Sequence, residues 1–184
     1  MAAAQRRWAA EILHFWFRKL GPLDWFRGGP HVDDALRARF EPDLLTLFTQ
    51  PVDSFLTDPL TARAAVLLFD QVPRNLYRDT GESFAFDPLA RGICHGILAR
   101  GWHSGLTKAE RQFIAMPLMH SEHMADQLAS LDFYSKLGDA YVFNFARSHY
   151  RMIAQFGRFP HRNDALGRKS TPAEKAAIAA GNAW

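Results

Sequence analysis

The sequence predicts an all-α protein, a compact single domain of about seven to nine helices packed as antiparallel pairs. Apolar residues recur at helical spacing along nearly the whole chain, and capping residues, glycines and prolines mark where the helices begin and end. Strand signals are scarce, because no stretch alternates apolar and polar residues for long and no Asn-Gly hairpin is present. We expect one domain over residues 1–184, with 176–184 as a frayed tail.

Two helices are predicted in the first fifty residues. Residues 6–20 carry apolar and aromatic side chains at helical spacing, and Gly21 with the proline after it ends the run. Residues 33–50 repeat the same spacing. Pro42 lies inside this second run, where a proline is expected to kink the helix or divide it in two.

The next two helices are predicted from clear start signals. Thr57, as a cap, precedes an acid and a proline, and the residues of 59–71 are apolar on all sides. A helix that is apolar all round is buried, and Pro73 is expected to end it. Asp87 with the proline after it starts the following helix, which runs over about 87–99.

The remaining helices follow at short intervals. A capping box at Thr107 starts a helix that Pro117 ends or kinks, and two more helices are predicted over 120–136 and 139–156. A second capping box at Thr171 starts the last one. Short loops between these helices favour antiparallel neighbours.

Composition limits the classes of function. The single cysteine, Cys94, excludes an internal disulfide and a Cys-rich metal site, and its apolar surroundings predict a small buried side chain. No uncharged apolar run approaches the ~20 residues that span a bilayer, and the first residues lack a secretory leader. We therefore expect a cytoplasmic protein with no membrane partner. The 15 Phe and 5 Trp predict an aromatic core that includes Trp25 and Phe26.

Positive charge is concentrated near the C-terminus. Residues 147–169 contain six basic residues and one acid, Asp164, in a chain whose net charge is only +3. The basic residues are Arg147, Arg151, Arg158, Arg162, Arg168 and Lys169. Such a patch suits an anionic ligand or an acidic partner, or it is a solvated face whose arginines pair with acids elsewhere. It contains no recognised nucleic-acid motif, so we expect no nucleic-acid partner.

A polar phrase occurs twice, each time at a proline after a long apolar run. Residues 69–75 end in Arg74 and Asn75, and residues 157–163 end in Arg162 and Asn163. The planar guanidinium group binds carboxylate and phosphate with paired donors, so two of them predict an anion site.

The side chains beside these arginines extend the predicted ligand-binding set. Asp70 lies four residues before Arg74, which is ion-pair spacing if the helix continues, and it orients the guanidinium group. Arg158 and His161 flank the second phrase, where the histidine is a candidate proton donor. The alternatives are structural: an ion pair that closes a helix end, and an ordered surface loop.

A third polar cluster contains His120, Glu122, His123 and Asp126. On a helix, Glu122 and Asp126 would share a face, and Glu122 with a nearby histidine could carry out general acid–base chemistry. The candidates for proton transfer are therefore His120, Glu122 and His161, with Asp126 as a ligand contact. The spacing does not match a known metal motif, and a plain helix N-terminus is the other interpretation.

Familiar cofactor and nucleophile motifs are absent from the sequence. It contains no Gly-x-Gly-x-x-Gly, no phosphate-binding Gly-Lys-Ser/Thr loop and no Gly-x-Ser-x-Gly elbow. We therefore predict neither a cofactor nor a metal.

These phrases carry a resemblance to a known family. The chain is similar to the bacterial family called domain of unknown function 924. The matching segments are 12–17, 69–78, 85–90, 116–122, 125–127, 156–163, 166–168 and 170–171. The resemblance implies a tetratricopeptide-like helical fold, and it assigns no activity and no catalytic residue. It also implies a bacterial origin.

Two functions remain open on this sequence. In the first, Arg74 and Arg162 hold a small anionic molecule and Asn75 and Asn163 donate hydrogen bonds beside it, with or without enzyme activity. In the second, a groove between helix pairs binds an acidic peptide segment of a protein partner. The two differ in burial, since a closed pocket excludes a peptide and an open groove with exposed aromatic residues admits one.

Overall fold

Helices account for most of the structure. The computed structural model describes residues 7–181, and in this part there is no strand and there are nine helices, counting segments that follow one another without a break as one. The α-helices are α1 Arg7–His14, α2 Pro22–Arg27, α3 Pro30–Leu47, α4 Pro59–Val66, α5 Val72–Leu76, α6 Asp87–Ala99, α7 Lys108–Met119, α8 Met124–Ser135, α9 Ala140–Phe156 and α10 Pro172–Ala179. The predicted fold class is confirmed.

Two π-helical segments interrupt the α-helical geometry. One extends α1 over Phe15–Lys19, and the other joins α4 to α5 over Leu67–Gln71. Short 3-10 turns cover Val52–Phe55, Gly81–Phe84 and Pro160–Arg162. The predicted helix 6–20 thus corresponds to α1 with its π extension, and residue 6 lies outside the described residues.

Within residues 7–181 the core has one large part and two smaller ones. In the large part, α1 packs on α4, α3 on α5 and α4 on α6, around buried side chains such as Trp16, Phe40 and Phe69. From α6 to α9 each helix packs on the next, which gives the predicted antiparallel pairs. Phe159 belongs to the smallest part, with Met152 and Ile153. Cys94 is fully buried, as predicted.

The predicted helix starts are mostly confirmed by their hydrogen bonds. The Thr107 hydroxyl accepts from the amide of Glu110, whose carboxylate accepts from the Thr107 amide, and Thr171 begins α10 in the same way. At α4 the cap is Asp58 and not Thr57, because the Asp58 carboxylate accepts the first amides of the helix.

Prolines end fewer helices than predicted. Pro42 neither divides nor ends α3, which begins at Pro30 and runs to Leu47. Both Pro42 and Ala38, whose carbonyl loses its helical donor, lie on the exposed side of the helix, where water can satisfy that carbonyl. Pro117 is likewise inside α7.

The predicted helix 120–136 is too long at its start. The chain turns at residues 120–123, and α8 begins only at Met124. The Ser121 hydroxyl accepts from the amide of His123 and donates to Asp126, which fixes this turn. Glu122 and Asp126 therefore do not share a helix face.

The ends of the molecule are described only in part. The last helix, α10, continues through Ala179, so the first residues of the predicted frayed tail are helical. Residues 182–184 lie outside the described part. Among the described helices, none combines the length and the apolar character that crossing a bilayer requires.

Candidate functional site

The site begins with the π-helical segment between α4 and α5. Here the Val72 amide donates to the carbonyl of Leu67, five residues back, and the helix continues past Pro73 to Leu76. The prediction that Pro73 ends this helix is wrong. A π turn accommodates an extra residue, and the continuous helix places Arg74 Nη1 3.4 Å from Asp70 Oδ1.

Asp70 is the buried centre of the site, with no exposed surface. Its Oδ1 lies 2.8 Å from Nδ1 of His120, and its Oδ2 accepts a hydrogen bond from the side-chain Nε2 of Gln71 at 2.5 Å. Burial by itself raises the pKa of Asp70. The charges of His120 and Arg74, together with these hydrogen bonds, outweigh it and lower the pKa to about 2. Asp70 is therefore ionised at neutral pH.

His120 forms an aspartate–histidine pair with this carboxylate. Burial lowers the pKa of His120, so the imidazole is neutral at pH 7. An ionised carboxylate can only accept, so Nδ1 of His120 carries the proton and donates it to Asp70. The other ring nitrogen, Nε2, then holds a lone pair, as a general base requires.

Asp87 joins the two predicted arginines. Its Oδ1 lies 2.8 Å from Arg74 Nη1, and its Oδ2 accepts from Arg74 Nη2 at 3.0 Å and from Arg162 Nη1 at 3.3 Å. The sequence analysis took Asp87 only as a helix start. A carboxylate in the first turn of a helix is common for electrostatic reasons alone, so no sequence signal indicates that Asp87 also binds the two arginines.

Arg162 is held tightly from several sides. Its guanidinium carbon lies 4.5 Å from the ring centres of both Phe84 and Phe159, and Nη2 donates to the His120 carbonyl at 2.8 Å. Its side chain is only 7% exposed. Among the described residues, the buried Nε atom has no hydrogen-bond partner.

The charge of Arg162 is incompletely balanced. Burial, followed by the neighbouring charge of Arg74, lowers the pKa of Arg162 to about 10, although Asp87 acts in the opposite direction. The group is still a cation at neutral pH. An anion placed beside it would stabilise that cation.

These side chains meet at a cavity of about 690 Å³. The predicted residues that line it are Arg74, Asn75, His120, His161 and Arg162. Asp70 lies directly behind His120 and Arg74. Of the described residues, four arginines and one aspartate line the cavity, so its charged lining is mainly cationic.

Two lining residues complete the polar part of the cavity. The Asn75 side chain donates to the Gln71 carbonyl at 2.9 Å and accepts from Arg78 at 2.9 Å. Burial, followed by the charge of Arg162, lowers the pKa of His161 to about 4. His161 is therefore neutral at pH 7, which suits a proton acceptor better than a proton donor.

Glu122 is placed away from the cavity. Its carboxylate binds both terminal nitrogens of Arg168, at 2.8 and 3.0 Å, and accepts from the Phe159 amide at 2.7 Å. These bonds attach the segment that carries Arg162 to the turn between α7 and α8. Glu122 thus has a structural position, in contrast to the predicted role in proton transfer.

Like Glu122, three residues that were predicted to contact the ligand bind protein groups outside the cavity. Asp126 binds Ser121 at 2.7 Å and His95 at 2.8 Å, and Arg158 donates to Glu174 at 2.6 Å. The fully buried Asn163 donates to Ser170 and accepts from Arg168. Of the two Arg-Asn phrases, the first therefore places Asn75 at the cavity, whereas Asn163 of the second does not line it.

Several residues of the cavity were not predicted as site residues. Trp25 and Phe26 were predicted as core, yet both line the cavity, with Phe26 55% exposed. Tyr141, Phe145 and His149 also line it, and nothing in their sequence spacing separates them from ordinary helix-surface residues. In the described part of the chain, no group of three or more histidine, cysteine or acidic residues could hold a metal ion.

The lowered pKa of Asp70 predicts a loss of stability in acid. A carboxyl group whose pKa falls from 3.8 to about 2 on folding stabilises the protein above pH ~4, and this contribution disappears as the pH falls to 2. We expect the wild type to lose about 2 kcal/mol more than Asp70→Asn between pH 4 and pH 2. Urea unfolding at both pH values measures this difference.

The comparison with the variant is needed because other carboxyl groups titrate in the same range. A hydrogen bond from Arg158 lowers the pKa of Glu174, for example, to about 2. An equal loss of stability in the wild type and Asp70→Asn would contradict the assignment to Asp70.

Comparison with known proteins gives a family but no activity. The family model described as "Bacterial protein of unknown function (DUF924)" matches residues 12–182. A solved structure of a protein of unknown function from Agrobacterium tumefaciens is 34% identical, with a TM-score of 0.87 over 92% of this chain and 96% of that chain. No curated protein matches the sequence.

Proposed function

Since the chain belongs to the DUF924 family, whose description assigns no activity, we propose a function from the cavity itself. The protein binds a small molecule that carries a carboxylate or phosphate group, and His120 exchanges a proton with it. One observation carries this proposal: Arg74, His120 and Arg162, which are far apart in sequence, line the same cavity of about 690 Å³.

The binding part of the proposal rests on charge. Arg162 is nearly fully buried, and the carboxylate it pairs with, Asp87, is shared with Arg74. Burial, followed by the charge of Arg74, lowers the pKa of Arg162 to about 10. A carboxylate or phosphate in the cavity would supply a further negative charge beside this cation. Arg74 is better balanced, by Asp70 and Asp87, and would contribute mainly to orientation.

The catalytic part of the proposal rests on the Asp70–His120 pair. A neutral histidine whose Nδ1 proton is held by a buried carboxylate is a suitable general base through Nε2. The nearby cations would stabilise negative charge that develops when the base removes a proton. The class of reaction we propose is therefore transfer of a proton to Nε2 of His120 from a C–H, N–H or O–H bond of the bound molecule, at an atom outside its already ionised anionic group. His161 is a second acceptor at the same cavity.

The alternative is a groove for an acidic peptide. The exposed aromatic residues beside the cavity favour it, since they provide apolar surface for a peptide side chain. The side chains of Arg74, His120 and Arg162 are mostly buried, which favours a small molecule that can enter the cavity. The proposal places the protein in the cytoplasm and includes no nucleic-acid partner.

We test the proposal with matched arginine substitutions. Arg162→Lys keeps the positive charge but loses the planar fork, so we expect the affinity for inorganic phosphate or acetate to fall roughly tenfold. Arg158→Lys is the control, because Arg158 lies in the same segment but pairs with Glu174 away from the cavity. Isothermal titration calorimetry measures both affinities.

Two results would count against an anion site. One is equal affinity of the wild type and Arg162→Lys, and the other is equal weakening by Arg158→Lys. Thermal unfolding of each variant shows whether a loss of binding merely follows a loss of folded protein.

A further inference from the structure

The mouth of the cavity is lined by exposed aromatic side chains. Tyr141 is 68% exposed, and Phe26 and Phe145 are also exposed, yet all three line the same cavity as Arg162 and His120. Scattered apolar side chains on a protein surface are ordinary, but several rings around one concave site are typical of ligand binding.

These rings are held in place by other rings. Phe26 stacks on the buried Phe113, with ring planes 12° apart and centres 6.4 Å apart. Tyr141 meets Phe145 edge to face, with centres 5.0 Å apart. Rings fixed by such contacts lose little freedom when a ligand covers them.

Phe26 is carried by a short helix with a sharp exit. Gly28 and Gly29, which follow α2, have φ values of 59° and 136°, and a Cβ atom on Gly28 would lie 2.6 Å from Arg78. Only glycine adopts this path easily, so the chain turns directly from α2 into α3. The aromatic side of α2 thereby lies at the edge of the cavity.

The size of the cavity also exceeds what a simple anion needs. A water molecule takes about 30 Å³, and phosphate or acetate is only a few times larger. The volume of about 690 Å³ lies within the range of roughly 300–1,000 Å³ that is usual for organic ligands of some size. An inorganic anion bound to Arg162 would leave the exposed rings of Phe26, Tyr141 and Phe145 uncovered.

We propose that the ligand is an aromatic acid, in which a flat ring bears the carboxylate or phosphate group. Its anionic group binds Arg162 beside His120, and its ring packs against the aromatic rim formed by Phe26, Tyr141 and Phe145. This inference rests on the proposed function, because it assigns the rest of the molecule whose anionic group the arginines hold.

Binding of two matched pairs of compounds tests the inference. Phenyl phosphate is compared with inorganic phosphate, and benzoate with acetate, by isothermal titration calorimetry on the full chain. We expect the aromatic member of at least one pair to bind about tenfold more tightly, because its ring leaves water for an apolar surface. Phenol serves as the uncharged control.

Two variants identify the rim as the source of this gain. Phe26→Ala and Tyr141→Ala should each remove most of the aromatic preference and leave binding of the small anion unchanged. Both side chains are largely exposed, so both variants should fold. Leu23→Ala is the matched control, since Leu23 is exposed on the same helix α2 but does not line the cavity.

The outcomes separate the two proposals. Equal affinity for both members of each pair would overturn the aromatic inference and leave the anion site in place. Phenol binding as tightly as phenyl phosphate, or no binding of any anion, would overturn both. Tighter binding of tetraglutamate than of benzoate would overturn the aromatic inference in favour of an acidic peptide.

Discussion

Asp70→Ala is expected to destabilise the protein by about 3–5 kcal/mol. The substitution removes the only fully buried carboxylate of the described site and leaves the Nδ1 proton of His120 without its acceptor. It also leaves the mostly buried cation of Arg74 with Asp87 as its remaining acidic partner at the site. Arg74 and Arg162 then share the single carboxylate of Asp87. A buried cation without a counter-charge of its own costs far more than the loss of a surface ion pair.

Urea unfolding of the variant and a matched control measures this effect. Asp132 also forms an ion pair, with Lys136 at 2.7 Å, but its side chain is 66% exposed. Asp132→Ala should therefore change the free energy of unfolding by less than about 0.5 kcal/mol. A cost below about 1 kcal/mol for Asp70→Ala would show that Asp70 is not the electrostatic centre of this site.

Phe159→Ala should cost a similar amount, about 3–5 kcal/mol. Phe159 is a fully buried ring that packs with Met152 and Ile153, and it covers one side of the Arg162 guanidinium group at 4.5 Å. Truncation leaves a cavity in the smallest part of the core and frees Arg162 to move. We therefore expect weaker anion binding together with lower stability.

Phe48→Ala is the control for this second substitution. Phe48 is an exposed ring that contacts Phe86, so its truncation should cost about 1 kcal/mol or less. Hydrogen exchange adds a local readout, since the amides of 157–171 should exchange faster in Phe159→Ala. Equal effects of the two truncations would contradict the role of Phe159 in fixing the Arg162 segment.

Individual helices show what could be read from the sequence. A helix was predicted over 139–156, and α9 occupies Ala140–Phe156, between the capping carboxylate of Asp139 and Gly157 in the left-handed conformation. Local signals of this kind fail where tertiary contacts determine where a helix ends. Pro73 was expected to end its helix, but the π turn before it keeps the chain helical and brings Arg74 to Asp70.

For the candidate site, the sequence indicated which residues to consider but not which groups each of them contacts. Arg74, His120 and Arg162 were selected as charged or titratable side chains at helix ends, and they do line one cavity. Glu122 and Asp126 were selected on the same grounds, yet the turn at 120–123 directs them to Arg168 and His95. Asp87 resembled any acid in the first turn of a helix.

Local sequence patterns were sufficient to predict the all-α class, most of the caps and most of the helix bounds, because these depend on the nearest few residues. Which polar groups meet depends on long-range packing, since Asp70, Asp87, His120 and Arg162 belong to separate segments that the helices bring together. Burial of these groups then sets their protonation, and burial is a property of the assembled fold.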